Sequence, residues 1–227
     1  SPNGSIDQGC GFATCMGVRA ATATGWNLGW GWNTPTDNLV NAFEAGDVRK
    51  GSTILFSGQS DDPSTGGYGR VLPNYILDPV PGPLPRKYWN KKIYADPAYR
   101  NSTGFSDNPR WINKRIIRYA DVLLMAAEAS NELGQGATGI GWLNSVRTRA
   151  SLTGRSYTTQ AQLRADIKHE RRVEFGVEGE RFFDLVRWGD ALTVLGPQGY
   201  TNRCRYYPIP QPVIDRCGGT IIQNPEW

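Results

Sequence analysis

The densest run of residues able to do chemistry is Glu170 to Asp190, "ERRVEFGVEGERFFDLVRWGD", in which acids, arginines and aromatics recur three and four apart. Those intervals put Glu170 with Glu174, Arg181 with Asp184, and Asp184 with Trp188 on shared helical faces, where carboxylates and guanidinium groups pair readily. Two carboxylates on one face could also serve as the general acid and base of a glycosidase. Every acid here, however, has an arginine within about one turn. A neighbouring guanidinium lowers a carboxyl pKa and holds it ionised, which is wrong for a general acid. Glu170, Arg171, Glu174, Arg181, Asp184 and Arg187 are therefore read as structural ion pairs, and no catalytic residue is assigned. His169 is the chain's one histidine. With no second histidine it cannot be half of a two-histidine metal site, and it is read as a surface or ion-paired helix residue.

A second constellation, "GWNLGWGWN" (Gly25 to Asn33), spaces Trp26, Trp30 and Trp32 among glycines and asparagines on an expected loop. Indole faces stack on the C–H faces of sugar rings while amides and acids bind the hydroxyls. Asn33 would supply such a group, with Asn27 and Asp37 nearby, and Tyr68 is a further aromatic candidate. Tyr75, Tyr88 and Trp89 are weaker ones. The competing reading makes the tryptophans plugs beneath a loop, with glycine allowing close backbone approach. "GQGATGIG" (Gly134 to Gly141) lacks the Lys and Ser/Thr of a phosphate-binding loop and joins two expected helices. No cofactor and no metal are expected.

The elements that position these residues fall into two textures. From Ser1 to about Asn108, Gly and Pro recur every few residues and long apolar periodicity is missing. One helix is signalled there, "TPTDNLVNAFEAGDVR", with Thr34 as cap and Pro35 at its first position. "STILFSG" (Ser52 to Gly58) reads as a strand and the proline-rich Asp78 to Trp89 as an extended connector. Beyond Arg110, Ile117, Ala120, Leu124 and Ala127 make one stripe of a helix from about Asn113 to Leu133. A Gly-rich turn leads to a second helix, Ile140 to Ala150, which completes an αα-hairpin whose small residues permit close packing. Thr159 and Gln162 have capping-box spacing and open a third helix through Leu163, Ile167 and Phe175. A fourth runs from about Glu180 to Ala191. The tail is an extended strap with a turn near Val213.

Composition narrows the class. The chain has 227 residues, 39% of them hydrophobic, which suffices for a core. Eight Trp and ten Tyr exceed what such a core requires, so some aromatics should face solvent. A formal charge of +4, without a run of five like charges, favours neither nucleic acid nor a polybasic membrane contact. The cysteines fall into two local pairs, Cys10/Cys15 and Cys204/Cys217, which suit short disulfides in an oxidising compartment. A zinc site would need both pairs to converge, and free thiols are the third possibility.

Several of these stretches together resemble one family. "IIRYADVLLMAAEASNELG" (from Ile116), "LNSVRTRASL" (from Leu143), "ERRVEFGVEGERFFDLVRWG" (from Glu170), "YYPIPQPVID" (from Tyr206) and "QNPEW" (from Gln223) occur in the order seen in SusD/RagB proteins. The upstream "GWGWNTPTDNLVNAFEAGDVRKGSTI" is similar to the segment that precedes them there. The resemblance implies a mainly α fold, with tetratricopeptide-like helical hairpins, a large irregular loop-rich part and few short strands. It implies a cell-surface protein of the bacterial outer membrane, not an enzyme, that captures nutrient glycan (an oligosaccharide or polysaccharide) and passes it to a SusC-type TonB-dependent transporter. Family members begin with a lipoprotein signal and a long helical region that this sequence lacks. It is therefore expected to be the C-terminal portion of a longer protein, touching the membrane only through an N-terminal lipid anchor outside it. Residues 1–109 are the expected ligand-binding part and 110–227 the helical C-terminal region, in one continuous domain. The ligand residues carry no transferable motif, so Trp26, Trp30, Trp32, Asn33 and Tyr68 rest on chemistry alone. The alternatives are a tetratricopeptide-like protein-interaction module and, more weakly, a glycoside hydrolase.

Overall fold

The structure, a computed structural model, describes residues 11–19, 25–26, 28–73, 87–94 and 112–227. Cys10, Asn27, Tyr75 and most of the proline-rich connector lie outside them. In chain order the elements are α1 (Phe12–Met16), α2 (Asp37–Val40), α3 (Arg49–Thr53), β1 (Ile54–Phe56), β2 (Tyr88–Asn90), α4 (Tyr119–Glu132), α5 (Gly136–Arg149), α6 (Gln160–Glu174), α7 (Arg181–Arg187), α8 (Ala191–Leu195) and α9 (Gln211–Arg216). Short 3-10 turns occur at 63–65, 196–198 and 202–205. The architecture is mainly helical, as expected. The chain divides into two compact units, 1–178 and 179–227.

In the larger unit, α4, α5 and α6 bury Ala120, Leu124 and Ala127 against Leu143, Val146, Leu163 and Ile167. Burying each large aliphatic side chain is worth about 1.5–3 kcal/mol, which makes this cluster the main source of stability for the hairpin. Thr159 caps α6 by accepting a hydrogen bond from the Gln162 amide at 3.1 Å, as its spacing indicated. The close approach of α4 and α5 depends on Gly139. A Cβ there would lie 2.9 Å from the Ala127 carbonyl oxygen and 3.3 Å from Leu163.

Several expected boundaries move. The first hairpin helix starts at Tyr119, not Asn113, because Arg118 is extended (φ −122°, ψ 155°). Ile117 is consequently outside the helix and 69% exposed, not part of the buried stripe. The Gly-rich turn is mostly helix: Gly134, at φ +76°, makes the turn, and α5 begins at Gly136. The expected helix from Thr34 reduces to α2, capped by Thr36, whose hydroxyl accepts from the Leu39 amide. Pro35 thus precedes the cap. The expected strand is shorter because 49–53 is helical. β1 pairs antiparallel with β2, Leu55 opposite Trp89. Around this ribbon Val18, Trp26, Leu28, Leu72 and Trp89 form a second core cluster. Val40, Phe43, Ile54 and Val173 form a third, which ties the irregular half to α6.

In the smaller unit, α7 ends at Arg187, short of Ala191, and residues 211–216 of the expected strap are helical. Cys204 and Cys217 carry free thiols in place of the expected bridge. The sulfur of Cys204 instead contacts Thr201 Oγ1 at 3.8 Å within its own turn, while Cys217 caps α9. Cys15 is also a free thiol. Among the described residues no helix is long and apolar enough to cross a membrane.

Candidate functional site

The buried acids of α6 in the opening charge cluster are wired to distant parts of the chain. Glu170 is fully buried and accepts from Arg49 Nη1 at 2.5 Å and Arg147 Nη1 at 3.0 Å. Glu174 takes three guanidinium groups: Arg118 and Arg149 on Oε1 at 2.7 and 2.6 Å, and Arg49 and Arg149 on Oε2 at 3.0 and 2.6 Å. Burial by itself pushes the Glu174 carboxyl up. Hydrogen bonds from Arg118 and Arg49, with the charge of Arg149, overcome that and hold it at about 2. Arg171 reaches Asp121 at 2.7 Å. Within the second unit, Arg187 bonds Asp184 at the expected spacing of three, 2.9 Å from Nε, while its guanidinium lies over Trp188. Arg181 opens α7. His169 faces Glu44 at 3.7 Å, and burial pushes its pKa down.

Sequence spacing missed Arg49, Arg118, Arg147 and Arg149 as partners. Glu170 and Arg49 are 121 residues apart, so no local pattern could reveal them. The cluster binds α3, α5 and α6 into one body. With both Glu174 oxygens occupied and its carboxyl ionised, it has no proton to donate as a general acid at neutral pH.

The tryptophan loop is built differently. Its backbone is laced to α1 and the residues after it: Leu28 N–H donates to Val18 O at 2.7 Å, Gly31 N–H to Gly17 O at 3.0 Å and Trp32 N–H to Cys15 O at 2.8 Å. Gly31 adopts φ +70° and packs on the buried Trp89 ring, which a Cβ would approach to 3.1 Å. Trp30 and Trp32 on either side are thereby turned outward, 51% and 58% exposed, with ring centroids 5.2 Å apart and planes tilted by 58°. Asn33 follows in the left-handed region (φ +49°), which asparagine tolerates. Its amide approaches Met16 Sδ and the Val177 carbonyl, each at 3.5 Å.

Trp26 lies elsewhere. It is 5% exposed, stacked 6.2 Å from Tyr94 and covered by the Arg70 guanidinium at 4.8 Å, so it offers no open ring face. Tyr68 belongs to this second aromatic group. It is 44% exposed, edge-on to Tyr94 at 5.3 Å, and its amide donates to Asp61. Trp89 is fully buried, with its indole N–H on Ser57 Oγ, and Tyr88 donates its hydroxyl to Asp37. The structure therefore joins Trp30 and Trp32 in one exposed pair, leaves Tyr68 in a second group and returns Trp26 to the core. Among the described residues no group of three or more His, Cys, Asp or Glu is arranged to hold a metal.

A model of the SusD family matches residues 3–203. A SusD-like protein from Formosa agariphila is 26% identical over 231 residues, covering 95% of this chain and 44% of that protein. Another, from Bacteroides ovatus, is 42% identical over 132 residues, covering 51% and 23%. Among solved structures, surface glycan-binding protein A from Bacteroides thetaiotaomicron superposes with a TM-score of 0.64 at 26% identity, covering 94% of this chain and 46% of that one. A laminarin-binding SusD-like protein gives 0.67 at 27% identity, covering 97% and 45%. The chain thus spans about half the length of the relatives it matches.

Proposed function

The chain belongs to the SusD family, and from that premise we propose that it takes part in capturing nutrient glycan at the bacterial cell surface. In this reading the protein binds without turnover and delivers its ligand to a SusC-type TonB-dependent transporter. It works at the outer face of the outer membrane. The observation that carries the reading is the exposed Trp30–Trp32 pair on a hydrogen-bonded loop, in a chain similar to surface glycan-binding protein A.

Two tilted indoles on a fixed backbone offer sugar rings a preorganised surface, so little ordering cost is left for the moment of binding. Asn33 fixes the end of the loop, and Tyr68 offers a second aromatic contact. The absence of turnover is supported by the state of the most acid-rich segment, where Glu174 is held ionised between three arginines. A second reading, a protein-interaction module, draws on α4, where Tyr119, Val122 and Met125 stand three apart and are 74%, 45% and 46% exposed. Electrophoresis through gels containing individual polysaccharides separates the two. Retardation by at least one glycan, lost when Trp30 and Trp32 are both changed to Ala, is expected. Uniform mobility in every gel, together with co-purification of a partner through the α4 face, would favour the second reading.

A further inference from the structure

The turn that follows α6 holds a conformation that its sequence disfavours. Val177 adopts φ +60°, although glycines stand close by at 176 and 179. A β-branched residue in the left-handed region is a genuine outlier, and such strain persists only where the surroundings over-determine it. Here they do. Before Val177, the Phe175 ring lies under the Arg118 and Arg171 guanidinium groups, at 4.7 and 5.0 Å. After it, the Glu178 carboxylate is held by Lys92 at 2.5 Å and Arg118 at 2.8 Å, and the Glu178 amide donates to Phe175 O at 3.1 Å. Residues outlying in this way cluster at ligand clamps, where the strain sets a geometry.

The strained carbonyl is where two side-chain amides arrive. Asn90, the last residue of β2 and 2% exposed, donates from Nδ2 to Val177 O at 3.3 Å and to Met16 Sδ at 3.7 Å. Asn33 donates to the same two acceptors, at 3.5 Å each. Each contact is long, so the set fixes the position and no single bond does. Asn90 is itself oriented, because its Oδ1 accepts the Lys92 amide at 3.0 Å. Met16 lies between Cys15 and Gly17, whose carbonyls hold the Trp32 and Gly31 amides. The end of α1, the end of β2, the tryptophan loop and the Val177 turn therefore meet at one point. A shift of Asn33 or Met16 there moves the backbone that carries both exposed indoles.

We propose that Asn90 and the Val177 turn are positioning residues for glycan binding, which touch no sugar and set the separation and tilt of Trp30 and Trp32. The left-handed backbone at Val177 turns its carbonyl to the place that both amides reach. Glu178, its neighbour, anchors that turn to the buried ion network. That the indole pair receives sugar rests on the glycan reading above, whereas the control of its geometry does not.

Two indoles 5.2 Å apart couple their electronic transitions, so the circular dichroism of the whole chain minus that of Trp30→Phe isolates the signal of the pair. The same subtraction is made in three variants. Asn90→Asp and Asn33→Asp keep the side-chain shape, and in the first the acceptor for the Lys92 amide, while replacing the donors with an acceptor. Each should lose at least half of the pair signal. Asn33 is exposed, and aspartate also tolerates the left-handed region, so Asn33→Asp should do this with an unchanged melting temperature. Val177→Asn suits the left-handed backbone, retains the carbonyl and should keep the full signal. In the polysaccharide gels described above, retardation should fall severalfold in both aspartate variants and persist in Val177→Asn. An undiminished signal in both aspartate variants, its loss in Val177→Asn, or retardation kept while the signal is lost would each overturn the proposal. So would a wild type without any pair signal. If the signals behave as expected and no polysaccharide retards the wild type, the control of geometry stands and the glycan reading fails.

Discussion

Changing Glu174 to Gln keeps the shape of the side chain and removes the one charge that three guanidinium groups share. The carboxylate is 2% exposed and its pKa falls from 4.5 to about 2. At 1.36 kcal/mol per unit, a depression of that size corresponds to about 3 kcal/mol favouring the ionised form in the folded state. Removing one partner of a buried ion pair typically costs ~3–5 kcal/mol, which agrees. The sign follows from a depressed folded pKa: the stabilisation is complete above the unfolded value near 4.5 and is lost as pH falls through about 2. Urea unfolding of wild type and Glu174→Gln at pH 7, 4 and 2.5 measures it. The gap should be ~3–5 kcal/mol at pH 7 and shrink steadily below pH 4.5. Glu44 is also held at about 2, chiefly by its hydrogen bond from Arg147, so wild type alone loses stability in this window for two reasons. The difference between the proteins isolates Glu174. A gap below ~1 kcal/mol at neutral pH, or one that stays constant down to pH 2.5, would refute the three-arginine account.

Gly139→Ala should lower stability by ~1–2 kcal/mol in spite of alanine's better helix propensity, because the added Cβ meets the Ala127 carbonyl at 2.9 Å. A raised melting temperature would show that the helices separate freely. Thr159→Ala removes the α6 cap and should cost about 1 kcal/mol by urea unfolding, with no loss if the amide of Gln162 finds another acceptor. Mass spectrometry after iodoacetamide treatment without reductant should find Cys204 and Cys217 alkylated. Labelling that appears only after reduction would restore the bridge expected from their spacing.

What could be read in the sequence was local. The capping pair Thr159/Gln162, the apolar repeats of the hairpin and the glycine that ends α4 all act within a few residues, and they formed where their chemistry required. The run of apolar residues before α4 misled because the chain must extend at Arg118, whose guanidinium reaches Glu174 and Glu178. Periodicity carries no trace of that demand. The same limit applies to the acids of α6, whose partners come from α3, α5 and the residue before α4. In the tryptophan loop, composition signalled an aromatic surface but could not sort its members. Which indoles face out follows from the left-handed Gly31 and its contact with Trp89, together with backbone pairing to residues 15–18. Trp26 and Trp30 look alike in the sequence and end with opposite exposures.

The most direct test of glycan capture is a calorimetric titration of wild type and the Trp30→Ala/Trp32→Ala double variant with the polysaccharide that retards the chain most, followed by chromatography of the recovered glycan. Saturable binding by wild type, at least a tenfold loss in the double variant with unchanged circular dichroism, and glycan recovered at its original length are expected. Equal affinity in the two proteins would contradict the role given to the tryptophan pair, and shortened chains would contradict capture without turnover.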